Sequence, residues 1–323
     1  MCGIAGLFTK TESMRPQLGG LLALMLEQLS SRGPDSAGVA FYREPAAPSN
    51  SKISLHSPDR DADWEALSAE LAAAFGEASP PRVRATHAVL EVSSPAEELQ
   101  LWLRERHPEL TQMSAGETIE IFKAVGSPVD FVRRFGLGEI DGGHALGHTR
   151  MATESRVTTE HSHPFSTGLD LCLVHNGSLS NHNRLRRKLQ REGIRFETDN
   201  DSEVAAGYLT WRMREGATLE QALEGCLTDL DGFYTFAVGT ADGFAVLRDP
   251  IACKPAVLAE SEDWVAMASE YRAIAVLPGA DEADTWEPEP GHVYSWGRAA
   301  VLAAGGLTAD PVLASPDGER VLS

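Results

Sequence analysis

The groups that could do chemistry in this chain lie at its start and at three later sites. Cys2 follows the initiator methionine, HTR ends at Arg150, HNGS contains Asn176 and Gly177, and TDNDSEV contains Asp201. They supply a thiol, a guanidinium, an amide beside a glycine N–H, and a carboxylate. Each group alone is common in structural roles, so their combination carries the argument.

Cys2 can act as a nucleophile with its own α-amine as the base. Removal of Met1 makes Cys2 the first residue, and an α-amine with a pKa of about 7.7–8.0 is partly neutral at pH 7. A terminal amine is a known base for the nucleophile on its own residue, and the thiolate is the species that attacks. The alternative is that Cys2 is a buried residue of an edge strand.

The other three sites each have a catalytic and a structural interpretation. Asn176 and the Gly177 N–H supply two adjacent donors for an oxyanion, although Asn-Gly is also typical of a tight turn. Arg150 could clamp a carboxylate through two parallel bonds or form a surface ion pair. Asp201 could bind an ammonium group or cap the following helix. With a thiol, these groups fit a free α-amino acid with a side-chain acyl group, and glutamine has that composition.

The composition excludes several classes of partner. Of the 323 residues, 47 are acidic and 28 basic, giving a net charge of −19. Nucleic-acid binding needs a basic surface, and an anionic membrane surface is also disfavoured. No apolar stretch approaches the ~20 residues that span a bilayer and no signal peptide is visible. We therefore expect a cytoplasmic location, with no nucleic-acid or membrane partner.

The cysteines and histidines do not predict a metal site. Four cysteines are widely spaced along the chain: Cys2, Cys172, Cys226 and Cys253. Since no CxxC pair occurs, zinc binding is not expected, and the last three are predicted to be core residues. In HSHPF, His161 and His163 have no nearby residue to complete a ligand set, so a structural role beside the substrate pocket is predicted.

Short apolar segments predict the elements that would position these groups. Strands are predicted at 2–9, 39–43, 144–153, 171–181, 233–240, 243–249, 255–261, 264–270, 273–279 and 293–296. Helices are predicted at 17–31, 181–193, 202–216 and 218–230. Residues 32–38 are predicted to form a turn, because Gly-Pro breaks the pattern.

A separate unit is predicted at about 52–126. Strands at 52–57, 86–92 and 117–126 alternate with helices at 63–77 and 96–110, which indicates an inserted β-α-β-α-β subdomain. It has no phosphate-binding glycine-rich loop, so we interpret it as an interaction or structural insertion. Residues 297–323 are predicted to be a loose C-terminal tail.

The order of these motifs resembles that of the class II glutamine amidotransferases. Cys-Gly-Ile after Met1 is followed by RGPDSAG, HTRMAT, HPF, HNGSLSN and DSE. The resemblance implies an α+β protein with the four-layer αββα Ntn-hydrolase fold over residues 2–296, interrupted by the β-α-β-α-β subdomain. A self-processing hydrolase of another Ntn type would need a propeptide, and only Met1 precedes the cysteine.

The resemblance also implies a role for each motif residue. Cys2 would be the nucleophile, Asn176 and Gly177 the oxyanion hole, Arg150 the carboxylate clamp and Asp201 the ammonium partner. Thr153 matches a glutamine-contacting threonine, and Arg32, with Gly33 and Asp35, matches the turn that supports the cysteine strand; Arg32 is also assigned to the substrate site. Met151 and Glu154-Ser155 stand where many sugar-type members have Trp and His-Gly.

Longer segments are most similar to the amidotransferase subunits of N-methylglutamate synthase and of glutamate-synthase-like enzymes. These segments are RMATES, HPFSTG, CLVHNGSLSNHN, AAGYLTWRM, LDGFYTFAVG and RDPIACKPAV. The resemblance implies a glutaminase subunit without a cofactor of its own, feeding ammonia to synthase subunits that hold FMN and iron–sulfur clusters. The acceptor stays open between 2-oxoglutarate and exchange with methylamine. The alternative is a catalytically idle glutamine-binding regulatory or scaffold subunit of the same complex.

Overall fold

The computed structural model describes residues 2–152 and 156–298, which form sixteen β-strands and eight α-helices. The strands are β1 (Gly3–Thr9), β2 (Ser36–Tyr42), β3 (Ser51–His56), β4 (Arg82–Arg84), β5 (His87–Val92), β6 (Thr111–Gly116), β7 (Ile119–Val125), β8 (His144–Arg150), β9 (Phe165–Gly168), β10 (Leu171–Leu179), β11 (Gly232–Gly239), β12 (Gly243–Arg248), β13 (Val257–Glu260), β14 (Trp264–Ala268), β15 (Asp284–Trp286) and β16 (Val293–Gly297). The helices are α1 (Leu18–Gln28), α2 (Trp64–Phe75), α3 (Ala96–Arg106), α4 (Pro128–Phe135), α5 (His182–Arg191), α6 (Asp201–Arg214), α7 (Leu219–Asp229) and α8 (Tyr271–Ile274).

The first strand lies in the middle of a seven-stranded antiparallel sheet, the large sheet. Its order is β15-β13-β14-β1-β8-β2-β7. Gly3 pairs with Thr149 of β8, and Ala5 pairs with Ala268 of β14. Because β1 and β8 run in opposite directions, the start of β1 meets the end of β8. The register therefore places Cys2 beside Arg150.

A five-stranded antiparallel sheet, the second sheet, faces the large sheet. Its order is β16-β12-β11-β10-β9. Ile4 and Leu146 of the large sheet and Val174 and Val246 of the second sheet belong to one buried cluster. The two sheets thus share an apolar core made by alternate residues of each strand.

Helices cover the outer face of each sheet. Leu22 of α1 and Phe131 of α4 pack in one cluster with Leu7 of β1. Leu209 of α6 packs in another with Leu173 of β10. The order of layers is therefore helices, large sheet, second sheet, helices, which is the predicted four-layer αββα arrangement.

The insertion differs in extent from the prediction. A small antiparallel sheet of order β4-β5-β3-β6 packs against α2 and α3. The strand at 117–126, predicted to complete this unit, is β7, which pairs with β2 at the edge of the large sheet. The unit therefore covers about 51–116 rather than 52–126. The prediction assigned β7 to this unit because β7 has apolar residues on both faces, a pattern that β6 (TQMSAG) lacks.

Two further predictions were wrong. Residues 273–279 contain the end of α8 rather than a strand, because Ala273, Ile274 and Leu277 recur at helical spacing and pack in the cluster that contains α1. Cys253 is exposed, whereas Cys172 and Cys226 are buried as predicted. The remaining predicted helices and strands outside the insertion occur within a few residues of their predicted bounds.

The tail predicted at 297–323 lies outside the described residues, except for Gly297, which ends β16, and Arg298. Within the described ranges, no helix is both long enough and apolar enough to cross a bilayer.

Candidate active site

Cys2 is held by its backbone just before β1. Its carbonyl oxygen accepts two hydrogen bonds, from Arg32 Nε at 2.9 Å and from Asn176 Nδ2 at 3.1 Å. Its Sγ lies 3.7 Å from the carbonyl oxygen of Met151, at the end of β8. The residue is half-buried and β1 is a central strand, so the alternative of a buried edge-strand cysteine was wrong.

Arg32 holds the backbone of Cys2 in this structure. Besides the Cys2 carbonyl, its guanidinium pairs with Glu270 at 2.5 Å. Ser269, next to Glu270, accepts a hydrogen bond from Ile4 N at 2.9 Å. The segment after β14 thus supports Cys2 from the other side. Sequence reasoning missed Ser269 and Glu270 as site residues; both lie within the strand predicted at 264–270, whereas β14 ends at Ala268.

Asn176 and Gly177 lie inside β10, so the tight-turn alternative was wrong. Asn176 Nδ2 donates to the Cys2 carbonyl and to Ser269 Oγ, both at 3.1 Å. Its Oδ1 is buried without a partner among the described residues. For Nδ2 to donate to an oxyanion, the oxyanion would have to replace either the Cys2 carbonyl or Ser269 Oγ as its acceptor. Gly177 has φ +148°, and a Cβ there would lie 2.0 Å from the Phe233 carbonyl oxygen.

Arg150 is a buried residue at the end of β8, not a surface ion pair. One of its nitrogens, Nη1, donates to Arg156 O at 2.9 Å. Burial lowers the pKa of Arg150, and the nearby Cys2, Asp35 and Asp201 act in the opposite direction. The guanidinium therefore lies within electrostatic reach of the thiol and of two carboxylates.

Asp201 is the first residue of α6, and it is not the helix cap. Asn200 is the N-cap, with its side chain accepting from Ser202 N at 2.9 Å. Asp201 instead accepts from Leu179 N at 2.9 Å, which ties the end of β10 to α6. This contact brings Asp201 to the strand that carries Asn176. Thr153, assigned to substrate contact, lies outside the described residues, as do Glu154 and Ser155.

Three buried histidines lie behind the site. His148 and His163 stack with ring centroids 4.0 Å apart, and His175 Nδ1 lies 2.8 Å from Ser202 Oγ. Burial lowers the pKa of His148 to about 3, so the ring is neutral at pH 7. His161 instead pairs with Asp199 at 3.0 Å. No group of three or more metal-binding side chains occurs in the ranges described.

This site is built on the fold of an Ntn hydrolase. The solved glutamine phosphoribosylpyrophosphate amidotransferase from B. subtilis superimposes with a TM-score of 0.58, at 21% sequence identity. The match covers 92% of this chain and 48% of that enzyme, so this chain spans about half its length. The predicted fold class is therefore confirmed.

Sequence comparisons give the family. A model described as a glutamine amidotransferase domain matches residues 148–276. The glutamine amidotransferase-like protein GlxB of Rhizobium meliloti is 53% identical, over 92% of this chain and 98% of its own length. A putative glutamine amidotransferase of Methanothermobacter thermautotrophicus is 32% identical, over 91% of this chain and 99% of its own length. The chain belongs to the glutamine amidotransferase family, with the class II architecture.

Proposed function

We propose that this chain hydrolyses glutamine to glutamate and ammonia through a thioester on Cys2. The observation that carries the proposal is the convergence of Cys2, Arg150 and Asn176 from the start of β1, the end of β8 and the interior of β10. The Cys2 carbonyl accepts from Asn176, and the thiol lies next to the backbone that follows Arg150.

Glutamine would be oriented before the chemistry begins. Arg150 binds its α-carboxylate and Asp201 its α-ammonium, with Thr153 as a further contact. The Cys2 thiol gives its proton to the α-amine of the same residue, and the thiolate attacks the γ-carbonyl carbon. Asn176 Nδ2 and the Gly177 N–H then stabilise the oxyanion. Loss of one such donor typically costs about 3–4 kcal/mol of transition-state stabilisation.

The tetrahedral intermediate collapses to the thioester as ammonia leaves with the proton held by the α-amine. A water molecule, deprotonated by that amine, attacks the thioester, and glutamate leaves as the thiol is restored. The amine is free only when Met1 has been removed. The intact mass of the active protein is therefore expected to lack Met1; an active protein that retains it would exclude the amine as the base.

Two cysteine variants test the nucleophile directly. Cys2→Ala is expected to abolish glutamine hydrolysis while retaining glutamine binding, measured by ammonia release and by calorimetry. Cys253→Ala is the matched control, because Cys253 is also accessible but lies outside the site. Full activity in the Cys2 variant, or equal loss in both variants, would contradict the proposal.

The alternative of an idle glutamine-binding or scaffold subunit has one observation in its favour. Both hydrogens of the Asn176 amide are engaged, with the Cys2 carbonyl and Ser269. Mass spectrometry of the protein after rapid acid quenching with glutamine separates the two functions. A γ-glutamyl adduct on the peptide containing Cys2 supports the glutaminase, and unmodified peptide with bound glutamine supports the idle subunit.

For the fate of the ammonia, we propose delivery to separate synthase subunits that hold FMN and iron–sulfur clusters, in the synthesis of glutamate or N-methylglutamate. One support is the motif resemblance. The other is that the match covers 98% and 99% of the lengths of two relatives, but only 38% of the length of an amidophosphoribosyltransferase. The proposal assigns no cofactor to this chain itself.

Purification from its native cells through a C-terminal tag tests this partnership. We expect larger subunits to co-purify, with flavin absorbance and iron in the same complex. Addition of 2-oxoglutarate or of methylamine with glutamate would then separate the two acceptors. Recovery of the chain alone, at native expression and low salt, would contradict the proposed assembly.

A further inference from the structure

A cleft of about 340 Å³ separates the insertion from the main body, away from Cys2. Its insertion wall contains Arg104 of α3 and Gln112 and Ser114 of β6. The opposite wall contains Arg195, just after α5, and Arg214 at the end of α6. Side chains from both parts of the fold can therefore reach a molecule in this cleft.

Three arginines line this cleft, Arg104, Arg195 and Arg214, together with three glutamates, Glu97, Glu197 and Glu203. Arg104 and Arg195 are close enough to repel one another electrostatically, and neither forms an ion pair or hydrogen bond within the described ranges. Among the described residues, Arg214 donates only to the Glu192 carbonyl oxygen. By contrast, the arginines around a second cavity are paired, as Arg43 and Arg82 are with Glu120.

None of the three glutamates forms an ion pair with these arginines among the residues that the structure describes. The carboxylate of Glu203 accepts three hydrogen bonds from Glu197 and Thr198, at 2.7–2.8 Å. Glu197 acts on Arg104 only electrostatically. The guanidinium groups are therefore left to pair with an anion from outside the chain.

Two buried polar atoms in the same cleft have no partner in the part of the chain that the structure describes. They are Gln112 Oε1 and Ser114 Oγ, and Ser114 is only 4% exposed. The amide nitrogen of Gln112 donates to the Gln100 carbonyl at 2.9 Å, which fixes the side chain with its oxygen as the open acceptor. Buried polar groups are normally paired, so we expect a molecule bound in the cleft to donate a hydrogen bond to this wall.

We propose that the cleft binds a small anionic metabolite with a carboxylate or phosphate group and a neighbouring hydroxyl or amino donor. The anionic oxygens pair with Arg104 and Arg195, with Arg214 at the edge. The donor bonds to Gln112 Oε1, and Ser114 contributes its hydroxyl. This second ligand site is independent of the glutamine site and bridges the insertion and the main body.

Calorimetric titration of the full chain with malate, succinate and glycerol 3-phosphate tests the site. Malate or glycerol 3-phosphate is expected to bind saturably, and the stronger of the two identifies the anionic group. Succinate, which lacks the hydroxyl donor, is expected to bind about tenfold more weakly than malate if the ligand is a carboxylate. No saturable binding of any probe up to about 10 mM, a weaker affinity than most metabolite sites have, would overturn the proposal.

Matched variants locate the binding. Arg104→Gln is expected to weaken it at least about tenfold, with glutaminase activity unchanged. Arg187→Gln, at an exposed position of α5 outside the cleft, should leave the affinity unchanged. Ser114→Ala removes a hydroxyl without a partner, so it should weaken binding without lowering the thermal midpoint of the free protein. Equal weakening by the two arginine variants would indicate general charge screening and overturn the site.

Discussion

Arg32 and Arg150 both lie beside Cys2, but they have different partners. Arg32 donates to the Cys2 carbonyl and pairs with Glu270. Arg150 lies within electrostatic reach of the thiol, Asp35 and Asp201. In the proposed mechanism, the first therefore orients the nucleophile and the second binds the substrate carboxylate.

This difference predicts a split in kinetic constants. Arg32→Lys loses the planar Nε donor to Cys2, so kcat should fall about tenfold or more with KM nearly unchanged. Arg150→Lys loses bidentate carboxylate binding, so KM should rise at least about tenfold. Steady-state glutaminase assays measure both constants. A rise in KM for the Arg32 variant with unchanged kcat would instead assign Arg32 to substrate binding.

Gly177 is required by space and by backbone conformation. A Cβ would lie 2.0 Å from Phe233 O, and φ is +148°. We expect Gly177→Ala to lower the free energy of unfolding by about 1–3 kcal/mol and to impair activity through the displaced strand. Gly20→Ala is the control, since nothing lies within 4 Å of its Cβ in α1; there the change should stabilise by about 0.5–1 kcal/mol. Urea unfolding measures both, and equal effects would contradict this account.

At the scale of the elements, Lys123 joins β7 to the loop before β9. Its fully buried ammonium donates to the carbonyl oxygens of Glu160, Ser162 and Pro164 at 2.9–3.2 Å. Burial lowers the pKa of Lys123 from 10.5 to about 8, while Glu203 and Glu160 oppose the shift. The loop that it holds carries His163 into the histidine stack, so this lysine supports the back of the site.

The lowered pKa of Lys123 makes stability depend on pH in a defined direction. Between pH 8 and 10.5 the unfolded chain binds this proton and the folded chain does not, so the free energy of unfolding rises with pH. The Lys123→Gln variant keeps a hydrogen-bond donor but has no charge to titrate. From pH 8 to 10.5 the free energy of unfolding of the wild type should therefore rise by up to about 3 kcal/mol relative to that of the variant. Urea unfolding at several pH values measures the difference. Lys188→Gln, at an exposed lysine of α5, should track the wild type, and a constant wild-type minus Lys123→Gln difference would contradict the shift.

The sequence predicts elements better than it predicts contacts. Strands β1, β8 and β10 were predictable because each is an apolar run that ends in polar residues. Strand β6 was missed because TQMSAG lacks alternation, and its place was given to the more apolar β7. The bonds from Asn176 to Ser269 and from Arg32 to Glu270 join residues 93 and 238 positions apart. They depend on how the two sheets face one another and on the path of the chain between α1 and β2, and sequence patterns give neither.

At the scale of the whole molecule, the folded chain buries six of its ten histidines. Six histidines have pKa values lowered chiefly by burial: His56, His87, His144, His148, His163 and His175. For His144 and His148 the pKa falls to about 3. The folded chain therefore keeps His144 and His148 neutral in mildly acidic solution, where the unfolded chain protonates them.

This burial predicts a loss of stability in mild acid. As the pH falls below 6.5, His144 and His148 each lower the free energy of unfolding by about 1.4 kcal/mol per pH unit. Between pH 6.5 and 4.5 these two rings alone remove about 5 kcal/mol, the low end of a total stability of about 5–15 kcal/mol, and the other four histidines act in the same direction. Tryptophan fluorescence in urea titrations from pH 7 to 4.5 measures the slope. His144→Gln should reduce it by about one proton, and His292→Gln, at an exposed site, should not. A stability independent of pH between 7 and 5 would mean that the rings can protonate in the folded chain. That result would contradict the assignment of neutral histidine rings behind the active site.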